Sequence, residues 1–213
     1  MDTKASNRRP LRSRSSRWAS VAAANLAATS ITPNQISVAS VAFAGLGAWA
    51  LLQPAQVWPL LLCALCVQLR LLCNLMDGMV AMEGGKQSPV GGLYNEIPDR
   101  IADSLLIVAL GYAGGIPWLG WCGALLAAVT AYIRTLGGAL GLPQDFRGPM
   151  AKQQRMAMLT AACLFAMAEN SWGSTHYSLP AALWIIAVGS LATCGTRTQA
   201  IGRALRERSG AKP

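Results

Sequence analysis

The feature that most constrains this chain is a series of six apolar segments, each close to the length that crosses a bilayer. They cover residues 34–52, 58–81, 92–113, 116–139, 151–169 and 179–200. Because a helix of about 20 residues spans the hydrocarbon core, the segments predict an all-α, polytopic membrane bundle of six transmembrane helices. Only 13% of the residues are charged, whereas a soluble domain carries about 25%, so the composition also favours lipid as the solvent.

The basic residues follow a topological pattern. All 18 lysines and arginines lie in the two terminal segments or beside two of the five turns, and the other three turns have none. Since basic residues are retained on the cytoplasmic side, both termini and the two basic turns are predicted to be cytoplasmic. The net charge of +9 therefore has a topological cause, and no nucleic-acid partner is predicted.

The same pattern predicts the domain boundaries. Residues 1–30 are predicted to form a basic segment with an amphipathic juxtamembrane helix, whose arginines would lie among lipid headgroups. Residues 31–205 are predicted to form the six-span domain, and residues 206–213 a basic tail.

The acidic residues are concentrated in one region. Five of the nine fall between Asp77 and Asp103, at the joined ends of the second and third spans, and ionisable groups at membrane depth are usually functional. Residues three or four apart share a helix face, so Asn74 lies beside Asp77, and Asn95, Asp99 and Asp103 form a stripe. Facing helices would bring these oxygens together as hard ligands for Mg²⁺, Mn²⁺ or Ca²⁺. The alternative is a set of helix-end residues solvated by cytoplasmic water.

A long motif covers the same region. The stretch 74–99 resembles the signature DxxDGxxARx₈GxxxDxxxD of the CDP-alcohol phosphotransferases (CDP-alcohol phosphatidyltransferases). The positions that match in identity and spacing are Asp77, Gly78, Ala81, Gly91 and Asp99. The segment ITPNQIS at 31–37 resembles the one that opens the family's first span, and residues 132–141 with 152–155 resemble its fourth and fifth spans.

The chain also departs from this signature. Asn74 and Asn95 stand at the first and third aspartates, and Met82 stands at the arginine. A different register would make Asp99 and Asp103 the last two aspartates, but it needs four extra residues in the intervening loop. The ungapped register is preferred, with Asp77 and Asp99 as the retained aspartates.

The resemblance implies an enzyme that transfers a phosphatidyl group from CDP-diacylglycerol to an alcohol, releases CMP and uses Mg²⁺ or Mn²⁺. Asp77 and Asp99 would bind the metal, with Asn74 and Asn95 offering neutral oxygens. Asp99 would also be the catalytic base. Glu96 and Asp103 are candidates to replace the charge lost at the two asparagines.

The resemblance further implies two groups of binding residues. Donor-binding residues would be Asn34, Gln35, Ile36, Ser37, Gly78, Ala81, Ser88 and Gly91. Acceptor-binding residues would be Arg134, Lys152 and Arg155, although each could equally be a positive anchor at the membrane surface. A homodimer in the bacterial inner membrane with a cytoplasmic active site is also implied.

Two other functions fit part of this pattern. A catalytically degenerate relative could bind lipid or nucleotide, because two motif aspartates are asparagine. A small transporter fits less well, since its polar residues should reach the middle of the bilayer. The acceptor alcohol is left open by the sequence.

Overall fold

The structure, a computed structural model, describes residues 16–173 and 175–210. The predicted basic residues before position 16, and Lys212, lie outside this part. The described residues form seven helices and no strand. The helices are α1 (Arg17–Ala27), α2 (Pro33–Leu51), α3 (Val57–Met82), α4 (Gly91–Ala113), α5 (Pro117–Ala139), α6 (Lys152–Trp172) and α7 (Ser178–Ser209).

Helices α2 to α7 correspond one to one to the six predicted segments, so the all-helical prediction is confirmed. The largest difference is α7, which has 32 residues and continues to Ser209 instead of ending near residue 200. Beyond that point no proline interrupts it, and it ends where Gly210 adopts the left-handed conformation at φ 67°. Arg206 and Arg208 in its last turn complement the helix dipole.

The start of α2 is fixed by local sequence. The Thr32 side chain accepts a hydrogen bond from the backbone of Gln35, and the Gln35 side chain accepts one from the backbone of Thr32. This capping box, with Pro33 at the first helical position, satisfies two backbone donors at once. It places Ser37 one turn into the helix, on the side that faces α3.

Helices α2 to α7 form a closed ring. Each packs on its neighbours in the order α2, α3, α6, α7, α5, α4 and back to α2. The interior is filled by small and branched apolar side chains from all six helices. The shorter α1 packs Ala19 and Ala23 against the C-terminal half of α3 and leaves Trp18 and Val21 exposed. A position of α1 on the membrane surface stays a prediction.

Four of the described helices are long and apolar enough to cross a membrane: α2, α3, α5 and α7. The chain is therefore an integral membrane protein. Helices α4 and α6 have 23 and 21 residues, but they carry ionisable residues in their N-terminal halves, and these lower their hydropathy.

Two glycines bring α4 and α5 into close contact. A Cβ atom added to Gly120 would lie 2.8 Å from Cα of Gly111, and one added to Gly111 would lie 2.6 Å from Cα of Gly120. Such approaches are typical of membrane helices that pack on small residues. The neighbouring atoms are backbone, so they cannot move aside as a flexible side chain would.

We therefore expect Gly120→Ala to destabilise the protein by about 1–3 kcal/mol through overpacking. Gly45→Ala on α2 is the matched control, because a Cβ atom there meets nothing within 4 Å. In a helix the control change should be neutral or stabilise by up to about 1 kcal/mol. Thermal unfolding of both variants in detergent tests this, and equal losses of stability would contradict the close contact.

Candidate active site

A cavity of about 970 Å³ opens at the end of the bundle where α3 ends and α4 begins. This volume lies at the upper end of the usual range for ligand pockets. Most of the predicted site residues line it: Asn34, Ser37, Asn74, Asp77, Gly78, Ala81, Ser88, Gly91, Asn95, Glu96, Asp99, Arg134, Lys152 and Arg155. Gln35, Ile36 and Asp103 do not.

Asp77 is buried on the cavity side of α3, with 5% of its surface exposed. The Ser37 hydroxyl donates a hydrogen bond of 2.6 Å to Asp77 Oδ2. This bond joins α2 to α3 at the site and fixes the orientation of the carboxylate. The neighbour that orients Asp77 is therefore a neutral hydroxyl group.

Asp99 lies on α4 among three cations. Lys152 Nζ donates to Asp99 Oδ1. Arg70 Nη2 lies 3.5 Å from the same oxygen, and Arg100 Nη2 lies 3.7 Å from Oδ2. The carboxylate is 11% exposed. Its charge is thus shared among side chains from α3, α4 and α6.

Asp103, one turn further along α4, is held between two arginines behind the cavity. Arg70 Nη2 lies 2.5 Å from its Oδ1, and Arg155 Nη2 lies 2.9 Å from its Oδ2. All three side chains are buried: Arg70 is 0% exposed, Asp103 3% and Arg155 2%. Buried charges of this kind need partners, and each arginine finds its partner in the same aspartate.

Arg70 was expected to flank a cytoplasmic turn, and this expectation is wrong because the side chain lies inside the bundle. The sequence did contain an indication of the buried position of Arg70. This arginine interrupts an apolar run seven residues before Asp77, two helical turns away on the same face. A charged residue at that position indicates an internal partner.

Glu96 also forms ion pairs with two arginines. Arg134 Nη2 lies 2.6 Å from Glu96 Oε1, and Arg100 Nη1 lies 2.9 Å from Oε2. Arg134 additionally donates to Gln144 and lies over the Phe146 ring, with 5.4 Å between its Cζ and the ring centroid. Glu96, like Asp103, therefore serves as the counterion of arginines.

The two asparagines of the motif differ in their surroundings. The Asn74 amide nitrogen is buried and has no hydrogen-bond partner. Asn95 is exposed near the start of α4 and lines the cavity. Rotation of the Asn74 amide would place its oxygen at the unpartnered position, where a cation would satisfy it.

These observations test whether the site suits a divalent cation. No group of three or more His, Cys, Asp or Glu side chains within the described ranges has metal-binding geometry. Mg²⁺, however, is commonly held by one or two carboxylates together with substrate phosphates and water. Asp77 and Asp99, with the amide oxygens of Asn74 and Asn95, form a donor set of that kind, so the residues fit.

The predicted donor-side residues separate into two groups. Asn34 Nδ2 donates a hydrogen bond of 3.4 Å to Ser88 Oγ. Both residues line the cavity, as do Gly78, Ala81 and Gly91. Gln35 is used instead in the cap of α2. Ile36 is buried against the C-terminal half of α3.

The cavity is rich in positive charge. Its lining contains six cationic and three acidic side chains: Lys86, Arg100, Arg134, Lys152, Arg155 and Arg197 against Asp77, Glu96 and Asp99. Arg197 from α7 was not among the predicted site residues, because it resembled other basic residues of the C-terminal segment. Its Nη1 donates to the Thr130 carbonyl at 2.6 Å and its Nε to that of Arg147 at 2.8 Å. An excess of six cationic over three acidic side chains suits a ligand with several phosphates.

The helical ring and the acidic motif define a class of membrane protein, and comparison with known proteins identifies it. A family model described as CDP-alcohol phosphatidyltransferase matches residues 30–194. That region is more than half of the chain, so the chain belongs to the CDP-alcohol phosphatidyltransferase family. The resemblance derived from the motif is thereby confirmed.

Two curated relatives are similar in sequence. Phosphatidylinositol phosphate synthase of Streptomyces avermitilis is 30% identical over 153 residues, which are 68% of this chain and 63% of that protein. Archaetidylinositol phosphate synthase of Aeropyrum pernix is 35% identical over 147 residues, 68% of this chain and 73% of that protein. The chain thus spans less than two thirds of the Streptomyces protein.

The fold is shared with the phosphatidylinositol phosphate synthase of Mycobacterium tuberculosis. Its structure with CDP-DAG bound has a TM-score of 0.71 and 20% identity, and the match covers 87% of this chain and 94% of that one. A second structure of that protein, with manganese and citrate, has a TM-score of 0.69 and 20% identity and covers 86% and 88%.

Proposed function

We propose that this chain transfers the phosphatidyl group of CDP-diacylglycerol to an alcohol acceptor, with release of CMP, and that it uses Mg²⁺ or Mn²⁺. The observation that carries the proposal is the placement of Asp77 and Asp99, at the family's motif spacing, in one cavity with excess positive charge. The relative from M. tuberculosis, which has the same fold, binds CDP-DAG in one structure and manganese in another.

The chemistry at the site follows from the residues that face the cavity. The acceptor hydroxyl oxygen attacks the phosphorus that carries diacylglycerol, and the bond from that phosphorus to the bridging diphosphate oxygen breaks. CMP leaves with the bridging oxygen. The hydroxyl proton passes to the Asp99 carboxylate, which Lys152 and Arg70 hold in place.

The metal would be held by Asp77 and Asp99 together with the amide oxygens of Asn74 and Asn95. When bound, it supplies the charge that neutralises the diphosphate and the departing CMP. Ser37 orients Asp77 for this role through its hydrogen bond. Gly78, Ala81 and Gly91 leave room on the wall for the nucleotide, and Asn34 and Ser88 offer polar groups in the same cavity.

We further propose that the acceptor is a phosphorylated polyol of the inositol phosphate kind. The two curated relatives differ in the lipid that their names give but share inositol phosphate. Arg134, Lys152, Arg155 and Arg197 line the cavity on the side of α5, α6 and α7. Guanidinium groups pair with phosphate through two parallel hydrogen bonds, so this side suits a phosphorylated acceptor.

The proposed topology has six spans, with both termini and the active site in the cytoplasm of a bacterial cell. Helices α4 and α6 are included because 23 and 21 residues at about 1.5 Å each exceed a hydrocarbon core of about 30 Å. Two of their buried charges, Asp103 in the middle of α4 and Arg155 in the first turn of α6, are paired with each other, which lowers the cost of placing them at depth. The homodimer stays a prediction.

The test is CMP release by the purified protein in detergent. It is incubated with CDP-diacylglycerol, Mg²⁺ or Mn²⁺ and inositol phosphate, glycerol phosphate, inositol or serine. We expect release with inositol phosphate, a much lower rate with unphosphorylated inositol, and loss of release when EDTA is added. Release with serine alone would overturn the acceptor proposal. Absence of release with every acceptor would favour a degenerate relative that binds lipid or nucleotide.

A further inference from the structure

The two carboxylates of the site have unequal electrostatic surroundings. Asp77 accepts its hydrogen bond from the neutral Ser37 hydroxyl. Asp99 contacts three cationic side chains, and Lys152 is the one that bonds directly to its Oδ1. A divalent cation held by both carboxylates is therefore attracted more strongly by Asp77 than by Asp99.

The charge balance of the motif points the same way. Four carboxylates would balance two divalent cations, whereas the two retained here, with Asn74 and Asn95 neutral, balance one. Glu96 and Asp103 add no charge to the metal site, because arginines hold both of them. A second divalent cation at Asp99 would thus meet three nearby cations and no additional carboxylate.

Lys152 is placed by the fold to supply a charge at this point. It is the first residue of α6, and its ammonium reaches across to α4 with 22% of the side chain exposed at the cavity wall. An ammonium is a compact charge with three donors. One donor engages Asp99, and the cavity volume beyond it is large enough for substrate phosphates.

We propose that the Lys152 ammonium occupies the position beside Asp99 where a second divalent cation would bind, so that each chain binds a single divalent cation, which Asp77 attracts more strongly than Asp99. The role of this cation in catalysis rests on the proposed function. The number of bound metal ions can be measured without substrate.

The test counts Mn²⁺ bound to the purified protein in detergent, from the electron paramagnetic resonance signal of free Mn²⁺ during a titration. We expect one Mn²⁺ per wild-type chain. Lys152→Met/Asn95→Asp, which removes the ammonium and restores a carboxylate, should bind two. Lys152→Arg/Asn95→Asp keeps the cation, and its second Mn²⁺ should be weaker by about tenfold or more than in the Met variant.

Lys86→Met/Asn95→Asp is the matched control. Lys86 also lines the cavity, but its ammonium donates to the carbonyls of Thr29 and Ile31 instead of to an aspartate. This variant should bind one Mn²⁺, like the wild type. Two Mn²⁺ in the wild type, none in the wild type, or one in Lys152→Met/Asn95→Asp would each overturn the inference.

Measuring CMP release on the same wild-type preparation separates this inference from the proposed function. One bound Mn²⁺ without CMP release with any acceptor would leave the inference standing and overturn the transferase. CMP release with two bound Mn²⁺ would support the transferase and overturn the inference of a single cation.

Discussion

Replacing Asp99 with asparagine is expected to lower CMP release by about 10²–10⁴-fold, the range usually contributed by a general base. The change removes the group that takes the acceptor proton and also one of the two carboxylates available to the metal. It preserves the shape of the side chain, so the loss would be chemical in origin. The initial rate of CMP release, at saturating CDP-diacylglycerol, inositol phosphate and Mn²⁺, measures the effect.

Asp145→Asn provides the matched control for this loss. Asp145 is a carboxylate in the connection between α5 and α6, it pairs with Arg147 at 3.0 Å, and it does not line the cavity. Its removal should change the rate by about twofold or less. Wild-type release by Asp99→Asn would remove Asp99 from the role of base.

The second large effect is expected from Asp103→Leu. This change leaves the guanidinium groups of Arg70 and Arg155 without their shared partner, and both are almost fully buried. Removing one side of a buried ion pair typically costs about 3–5 kcal/mol, because a charge is left uncompensated. The midpoint of thermal unfolding in detergent should therefore fall by on the order of 10 °C.

Two further variants define the cause of that loss. Glu96→Gln weakens ion pairs of a carboxylate that is 31% exposed, with partners Arg100 and Arg134 that are 25% and 12% exposed. Because water reaches this carboxylate, the change should cost about 1 kcal/mol, well below the loss in Asp103→Leu. Arg70→Met in the Asp103→Leu background removes one of the two orphaned cations and should recover part of the stability. Further destabilisation by Arg70→Met would show that packing, not charge, is the main contribution of the cluster.

The cluster also shows how the two halves of the site are connected. Arg70 contacts both Asp99 and Asp103, and Asp103 in turn holds Arg155. The proposed base, Asp99, and a proposed acceptor residue, Arg155, are therefore linked through two buried side chains. Because these charged side chains share ion pairs, a movement of Asp99 would change the contacts of Arg155, and the reverse.

Much of the architecture could be predicted because its causes are local in the sequence. Apolar segments of membrane length predicted helices α2 to α7 within a few residues, since backbone groups in lipid must be satisfied within each helix. The end of α7 was missed because residues 201–209 are rich in charged side chains and therefore continue the helix without an apolar signal. Only Gly210 marks that end.

The site was predicted in part for the same reason. The motif spacing brought Asp77 and Asp99 together with the correct helix faces, and both line the cavity. The roles suggested for Glu96 and Asp103 depended on their partners, which come from α3, α5 and α6. Sequence spacing along one helix carries no information about a cation on another.

The sequence by itself thus determined the helices, the family and the two retained aspartates, because hydropathy and helical periodicity act within one segment. Only the tertiary structure decided which charges neutralise one another. It placed Arg70 inside the bundle, joined Lys152 to Asp99 and withdrew Asp103 from the cavity. Electrostatic energies depend on distances of a few ångströms across helix interfaces, and those distances are set by the packing of the whole ring.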